Sequence, residues 1–297
     1  MRNFIRSISP EFLLKLYREK KKASHFKSLE NQRDKGEAVS ESQLIEDLKN
    51  VGIKSDDVLL VHSSLSKIGF VENGPKTVVD ALFKVIGDNG HLLMPNSPNS
   101  GMQLEYIREL ELFDVLKTPS KLGSISEYFR KLPNVVRSAH PTEPVSYAGN
   151  NSDYFVGEHF GELTPYTKKS PFYRVSEQEG KILYLGVTLD NAGTNLHTLE
   201  DSVDNFKYPV YFDEIFEVNV KLASGEIKKM NTRVHNPSQS NKRRCDELIP
   251  LFIERGVMKE VTIGNAKSLL VEAKPFLELM IDAYEKSGVT MYTPSGE

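Results

Sequence analysis

The segment Thr194-Asn195-Leu196-His197-Thr198-Leu199-Glu200 holds an imidazole and a carboxylate three residues apart. On a helix, residues at this spacing share a face, so the carboxylate can fix the imidazole tautomer and raise its basicity. His197 and Glu200 are therefore the candidate general base and its orienting group. The same i, i+3 pair also occurs on solvated helices, and spacing alone fits both readings. Asp190, Glu200, Asp201 and Asp204 put four carboxylates in one short stretch, which suits an acceptor carrying amines or hydroxyls. No metal is expected, because His-x-x-Glu supplies two ligands and no nearby Cys or His completes a set of three or four.

Two further clusters carry polar groups. Arg137-Ser138-Ala139-His140-Pro141-Thr142 gathers an Arg, a hydroxyl and a His in a Pro-limited loop, a setting that serves ligands as readily as it forms a hydrogen-bonded turn. His62-Ser63-Ser64-Leu65-Ser66 follows an apolar run, with Gly69 and Gly74 nearby, and small residues at a strand end can present backbone N–H groups to a phosphate or thioester oxygen. The chain contains no Walker loop, dinucleotide glycine fingerprint or Gly-x-Ser-x-Gly elbow, so Ser63 and Ser64 are poor candidates for nucleophiles.

These groups need a scaffold, and the hydrophobic pattern supplies one. The apolar runs Val58 to Val61, Leu92 to Met94 and Ile182 to Val187 read as buried strands, separated by helical patterns such as that carrying Val78, Val79, Leu82, Phe83 and Ile86. Phe216, Val218, Val220 and Leu222 alternate with polar residues, Ser224-Gly225 makes a turn, and residues 227–234 return as a hairpin. A short strand at residues 260–263 is expected between helices over 242–254 and 274–286. Ser9-Pro10 followed by Phe12, Leu13, Leu14, Leu16 and Tyr17 reads as an N-capped helix, and residues 28–38 read as a charged linker. The expected fold is α/β with α+β character: a central mixed sheet flanked by helices, an antiparallel hairpin and an N-terminal helical arm.

Composition narrows the function. The 297 residues are 39% hydrophobic and 27% charged, and 38 Lys and Arg against 41 Asp and Glu give a net charge of -3. Such a balance provides no bulk attraction to nucleic acid or an anionic membrane, so neither is expected as a partner. The sole cysteine, Cys245, excludes an internal disulfide and fits a reducing compartment. No run approaches the roughly 20 apolar residues of a membrane span, and the start lacks a signal-peptide core, so a cytoplasmic location is expected.

Several blocks in order resemble the aminoglycoside 3-N-acetyltransferase family, also called the antibiotic N-acetyltransferase family. They are Leu60-Val61-His62-Ser63-Ser64-Leu65 with Gly69 and Gly74-Pro75; Val136-Arg137-Ser138-Ala139-His140-Pro141; Lys169-Ser170-Pro171-Phe172 with Arg174; and Gly180 to Val187 leading to Thr194, His197 and Glu200. The similar span runs from about Ser40 to Lys286. The resemblance implies an arm and linker over 1–38 and an acetyl-CoA-dependent N-acetyltransferase domain over 39–297. It implies acetyl-CoA as co-substrate, bound along His62, Ser63, Ser64, Leu65 and Ser66 and near Ser170 and Pro171, with the thioester directed to His197. His197, oriented by Glu200, would take a proton as an acceptor amine attacks the thioester carbonyl. Transfer would be direct, since Cys245 lies far from the motifs with no evident base beside it. His140, Thr194, Asp190 and Asp201 would stand on the acceptor side or behind the reacting centre. The partner would be a small-molecule amine, and a homo-oligomer is compatible with the family.

Where the family often has His-Leu-Ala-Glu, this chain has His197-Thr198-Leu199-Glu200, which keeps both functional side chains. The arm before residue 38 is foreign to typical resistance enzymes, and a charge of -3 is a weak bias toward polycations. The expected acceptor is therefore a biosynthetic amino sugar, nucleotide-linked and destined for a surface polysaccharide. The alternative is an aminoglycoside acceptor in antibiotic resistance; a non-catalytic CoA- or sugar-binding protein would be expected to lack the His and Glu.

Overall fold

The computed structural model describes Lys20, Ser24 and residues 27–99 and 101–296; the expected N-terminal helix from Ser9 lies almost entirely outside them. Strands β1 (Val58–Ser63), β2 (His91–Pro95), β4 (Val136–Arg137), β5 (Val145–Ala148), β6 (Lys181–Leu185), β9 (Met258–Ile263) and β10 (Ala266–Glu272) form one sheet in the order β4-β5-β2-β1-β6-β10-β9. The centre is parallel, β1 pairing with β2 and β6, and both flanks are antiparallel. The sheet is mixed and flanked by helices, as the alternating pattern of the sequence implied.

Side-chain alternation along the central strands builds two cores. Leu60, Ile182 and Tyr184 point to one face, where they pack with Phe172, Phe252 and Phe276. Leu59, Val61, Leu183 and Leu185 point to the other, against the helices Glu41–Asn50, Pro75–Ile86 and Ser124–Arg130. Strands with apolar residues on both faces are the pattern expected of a covered parallel sheet. A smaller sheet, β3 (Phe113–Asp114), β7 (Phe216–Lys221) and β8 (Ile227–Thr232), contains the expected hairpin and packs over its own core of Val218, Val220, Met230 and Val234.

Three expectations are corrected. Residues 27–34 are helical rather than a linker, and the Gln32 side-chain carbonyl accepts from the Phe70 N–H at 3.0 Å, docking this turn on the main body. Strand β10 was not anticipated; it pairs antiparallel with β6 and makes β9 one arm of a hairpin. The helix expected over 242–254 is broken into a 3-10 turn, Cys245–Leu248, and a short helix, Ile249–Glu254, with Pro250 in its first turn. Among the described residues, no helix is long and apolar enough to cross a membrane.

Candidate active site

The parallel strands deliver their connections to one edge of the sheet, the place where open α/β sheets hold ligands. The connections after β2 and β6 line a cleft of about 830 Å³ there, together with Glu143 and Lys242 to Glu247; Gln103, Asp190, Thr194 and His197 are among the lining residues. Beyond β6 the chain turns at Gly186, whose φ of +70 favours glycine and whose absent Cβ would sit 2.6 Å from the Lys67 Cβ. A short helix, Leu189–Ala192, then leads through Gly193 to the 3-10 turn Thr194–His197 and the helix Thr198–Ser202. Gly193 is required by close approach, since a Cβ there would lie 2.4 Å from the Leu189 carbonyl oxygen. Leu189, Leu196 and Leu199 are buried in the core beneath and pin this segment, so that His197 faces the cleft.

His197 and Glu200 are brought together. His197 Nδ1 lies 2.9 Å from Glu200 Oε1, a close contact without good hydrogen-bond alignment. The Glu200 side chain is wholly buried and serves three neighbours: besides His197, the Tyr292 hydroxyl donates to Oε1 at 2.7 Å, and His235 Nε2 lies 3.1 Å from Oε2. The Tyr166 ring stacks on both imidazoles, with centroids 5.0 Å from His197 and 5.5 Å from His235. Tyr211 stacks on His235 as well, at 5.1 Å. Burial pushes His197 down to about 3, so the ring is neutral near pH 7. Burial opposes ionisation of Glu200, but its contacts with His197 and His235 outweigh that cost and hold the carboxyl well below its usual range. The result is an anchored carboxylate behind a neutral imidazole whose Nε2 is left for the cleft.

The other anticipated residues fall in three places. Thr194 and Asp190 line the cleft; Asp190 is also locked to Asp246 by reciprocal backbone-to-carboxylate bonds of 2.9 and 3.2 Å. Asp201 lies behind the centre, accepting from Tyr211 at 2.9 Å and Thr164 at 2.7 Å, and burial pushes it up to about 6. The remainder do not line the cleft. His140 is fully buried, stacks on His159 at 4.8 Å and lies 3.1 Å from the Thr142 hydroxyl. His62 is buried against Tyr184 with Nε2 3.2 Å from Asn195 Oδ1, so it braces the turn that carries His197. Ser63, Ser64, Leu65 and Ser66 are half-buried beside it at the end of β1. Ser170 is fully buried and caps the helix Pro171–Glu177, accepting from the Tyr173 N–H at 3.2 Å, with Pro171 at the helix start. Arg137 donates its guanidinium N–H groups to the carbonyls of Asn96 and Thr118, at 2.7 and 2.6 Å.

The sequence reading passed over His235, Tyr292, Tyr166, Gln103, Glu143 and Arg243. Arg243 borders the cleft with buried Nε and Nη2 atoms that have no partner, donors that a phosphate or carbonyl oxygen would satisfy. His235 joins His197 and Glu200 as a set of three possible metal ligands whose ligand atoms lie within 4.8 Å of one another, which corrects the expectation that no His or Cys completes such a set. Both imidazoles are in direct contact with the carboxylate, and His235 is the one in hydrogen-bond geometry with it.

A family model described as aminoglycoside 3-N-acetyltransferase matches residues 60–285. The chain is 38% identical over 161 residues to aminoglycoside N(3)-acetyltransferase IV from Salmonella sp., a match covering 54% of this chain and 58% of that enzyme. It is 25% identical over 268 residues to aminoglycoside N(3)-acetyltransferase IX from Micromonospora chalcea, covering 84% of this chain and 95% of the relative. Among solved structures, AAC-IIIb in a binary complex with CoASH superposes with a TM-score of 0.71 over 84% of this chain and 97% of that one, at 24% identity. A mutant of aminoglycoside acetyltransferase AAC(3)-IVa in complex with a gentamicin superposes at 0.69 over 84% and 89%, at 27% identity. These findings correct the expected acceptor. They favour the aminoglycoside alternative over a nucleotide-linked amino sugar for polysaccharide biosynthesis, because the matching family and these relatives are described by aminoglycoside chemistry.

Proposed function

The chain belongs to the aminoglycoside 3-N-acetyltransferase family of acetyl-CoA-dependent enzymes, and from that premise we propose that it acetylates an amino group of an aminoglycoside, with His197 as the base. The observation that carries this reading is the neutral His197 at the cleft with a buried, anchored carboxylate 2.9 Å from its inner nitrogen. After the acceptor ammonium has lost one proton to solvent, the amine nitrogen attacks the thioester carbonyl carbon. His197 Nε2 takes the second proton as the C–N bond forms, and the resulting imidazolium is stabilised by Glu200. When the C–S bond breaks, His197 returns that proton to the departing sulfur, leaving an amide and free thiol.

The unpartnered donors of Arg243, with Lys242 and Arg244 beside it, would hold the phosphates or carbonyls of acetyl-CoA at the cleft border. Burial pushes the Cys245 thiol up to about 12, which leaves no thiolate to form an acyl-enzyme and supports direct transfer. No metal is required by these steps. The test is CoA-thiol release from acetyl-CoA with kanamycin-type and gentamicin-type acceptors. Turnover that falls by about 1,000-fold in His197→Ala, with acetyl-CoA binding retained, is the expected result. Silence of the wild type across the panel, or full activity of the variant, would overturn the reading.

A further inference from the structure

Glu143 follows the Arg137 to Thr142 loop and lines the same cleft as His197 and His235. It is 9% exposed, yet among the described residues no Lys or Arg forms an ion pair with it. Its hydrogen-bond partner is neutral: Gln103 Nε2 donates to Oε1 at 2.7 Å. Arg243, another residue of the cleft, is felt through space without an ion-pair contact. Burial raises the carboxyl to about 7, the condition of an acid lacking a counter-charge. The Gln103 amide is also bonded at its other end, where Oε1 accepts from the His235 backbone N–H at 3.1 Å. One side chain thus ties Glu143 to the residue whose imidazole contacts Glu200.

We propose that Glu143, held by the Gln103 bridge in the cleft that His197 also lines, receives a second, non-reacting ammonium of the acceptor. The inference rests on the aminoglycoside reading and adds a residue that selects acceptors with more than one amine. The reacting amine is excluded as its partner on chemical grounds: a carboxylate that grips an ammonium keeps it protonated, and a protonated nitrogen has no lone pair for attack. A second ammonium carries no such penalty, and its charge supplies what the buried carboxyl lacks.

The experiment compares the wild type with Glu143→Gln, which keeps the shape and the Gln103 hydrogen bond, and with Glu143→Asp, which keeps the charge on a shorter stem. Initial rates of thiol release are measured against a multi-amine aminoglycoside and a set of analogues each lacking one non-reacting amine. In Glu143→Gln the acceptor KM should rise about 10- to 100-fold, the loss expected for a buried charge-assisted contact. Its kcat and acetyl-CoA KM should stay within about two-fold, and Glu143→Asp should fall between it and wild type. One analogue should abolish the difference between wild type and Glu143→Gln. An unchanged acceptor KM, a parallel loss in kcat and acetyl-CoA KM, or a difference that persists on every analogue would overturn the inference while leaving the acceptor reading standing. A wild type silent on every aminoglycoside would overturn both.

Discussion

Replacing Glu200 by Gln removes one charge and little volume from a side chain with no exposure, so the variant isolates what the carboxylate does for His197. In the wild type the inner nitrogen of His197 lies 2.9 Å from Oε1. When His197 takes the acceptor proton, this becomes an imidazolium beside a carboxylate. At that separation and an effective dielectric of about 20, Coulomb attraction is worth about 6 kcal/mol, which is a ceiling because part of the attraction offsets burial of both charges. Charge-assisted hydrogen bonds measured by mutation contribute about 1.5–3 kcal/mol. The smaller range governs, since a Gln carbonyl can still accept from Tyr292 or His235. The expected outcome is a fall in kcat of about 10- to 150-fold, with the acetyl-CoA KM unchanged because Glu200 does not line the cleft. Thiol-release kinetics on protein shown to be folded by thermal melting is the assay. A kcat within about three-fold of wild type would refute the claim that the carboxylate stabilises charge on His197, and would leave Glu200 a purely structural group.

Cys245→Ala should keep kcat within about two-fold, because a thiol held near 12 is not a nucleophile at neutral pH; trapping of an acetyl-enzyme by mass spectrometry in the wild type would contradict it. Acid should destabilise the fold through its buried histidines. His62, at about 4, and His159 and His197, at about 3, stay neutral when folded but take a proton near 6.5 when unfolded. Their stability is complete above 6.5 and is lost as pH falls through that value toward 4, at about 2 kcal/mol each by pH 5. Glu143 at about 7 and Asp201 at about 6 have raised values and so gain stability over the same interval, returning about 4 kcal/mol together. For these five groups the expectation is a loss of about 2 kcal/mol between pH 7.5 and 5, deepened by His140 and His235, whose burial also lowers them, and read from urea midpoints at the two pH values; equal midpoints would show that these histidines are protonated in the folded state.

What the sequence disclosed and what it hid divide along the range of the interactions. β1, β2 and β6 are short apolar runs buried on both faces, and β7 with β8 alternates cleanly around Ser224-Gly225, so local pattern sufficed for them. β10 runs directly into the helix Ala273–Ser287, which hid it as a strand, and its partner β9 shows Lys259, Glu260 and Thr262 outward at the sheet edge, so that only its end over 260–263 was legible. His197 and Glu200 are neighbours on one turn and could be paired by spacing. The rest of the cluster could not: His235 is 35 residues from Glu200, Tyr292 is 92 away, and both arrive only through the packing of other elements. Residues whose types suggest ligand contact show the same division. His140 and Ser170 look like ligand groups in polar, Pro-bounded segments, yet tertiary contacts engage them inside, one between His159 and Thr142, the other on a helix cap. Ser170-Pro171 carries a capping pattern in plain view, so that role was open to local reasoning, whereas one neighbour of the buried His140 is a β8 residue, Thr232, 92 positions along the chain. A polar residue type announces that a partner must exist; only the fold decides whether that partner is the protein itself or the ligand in the cleft.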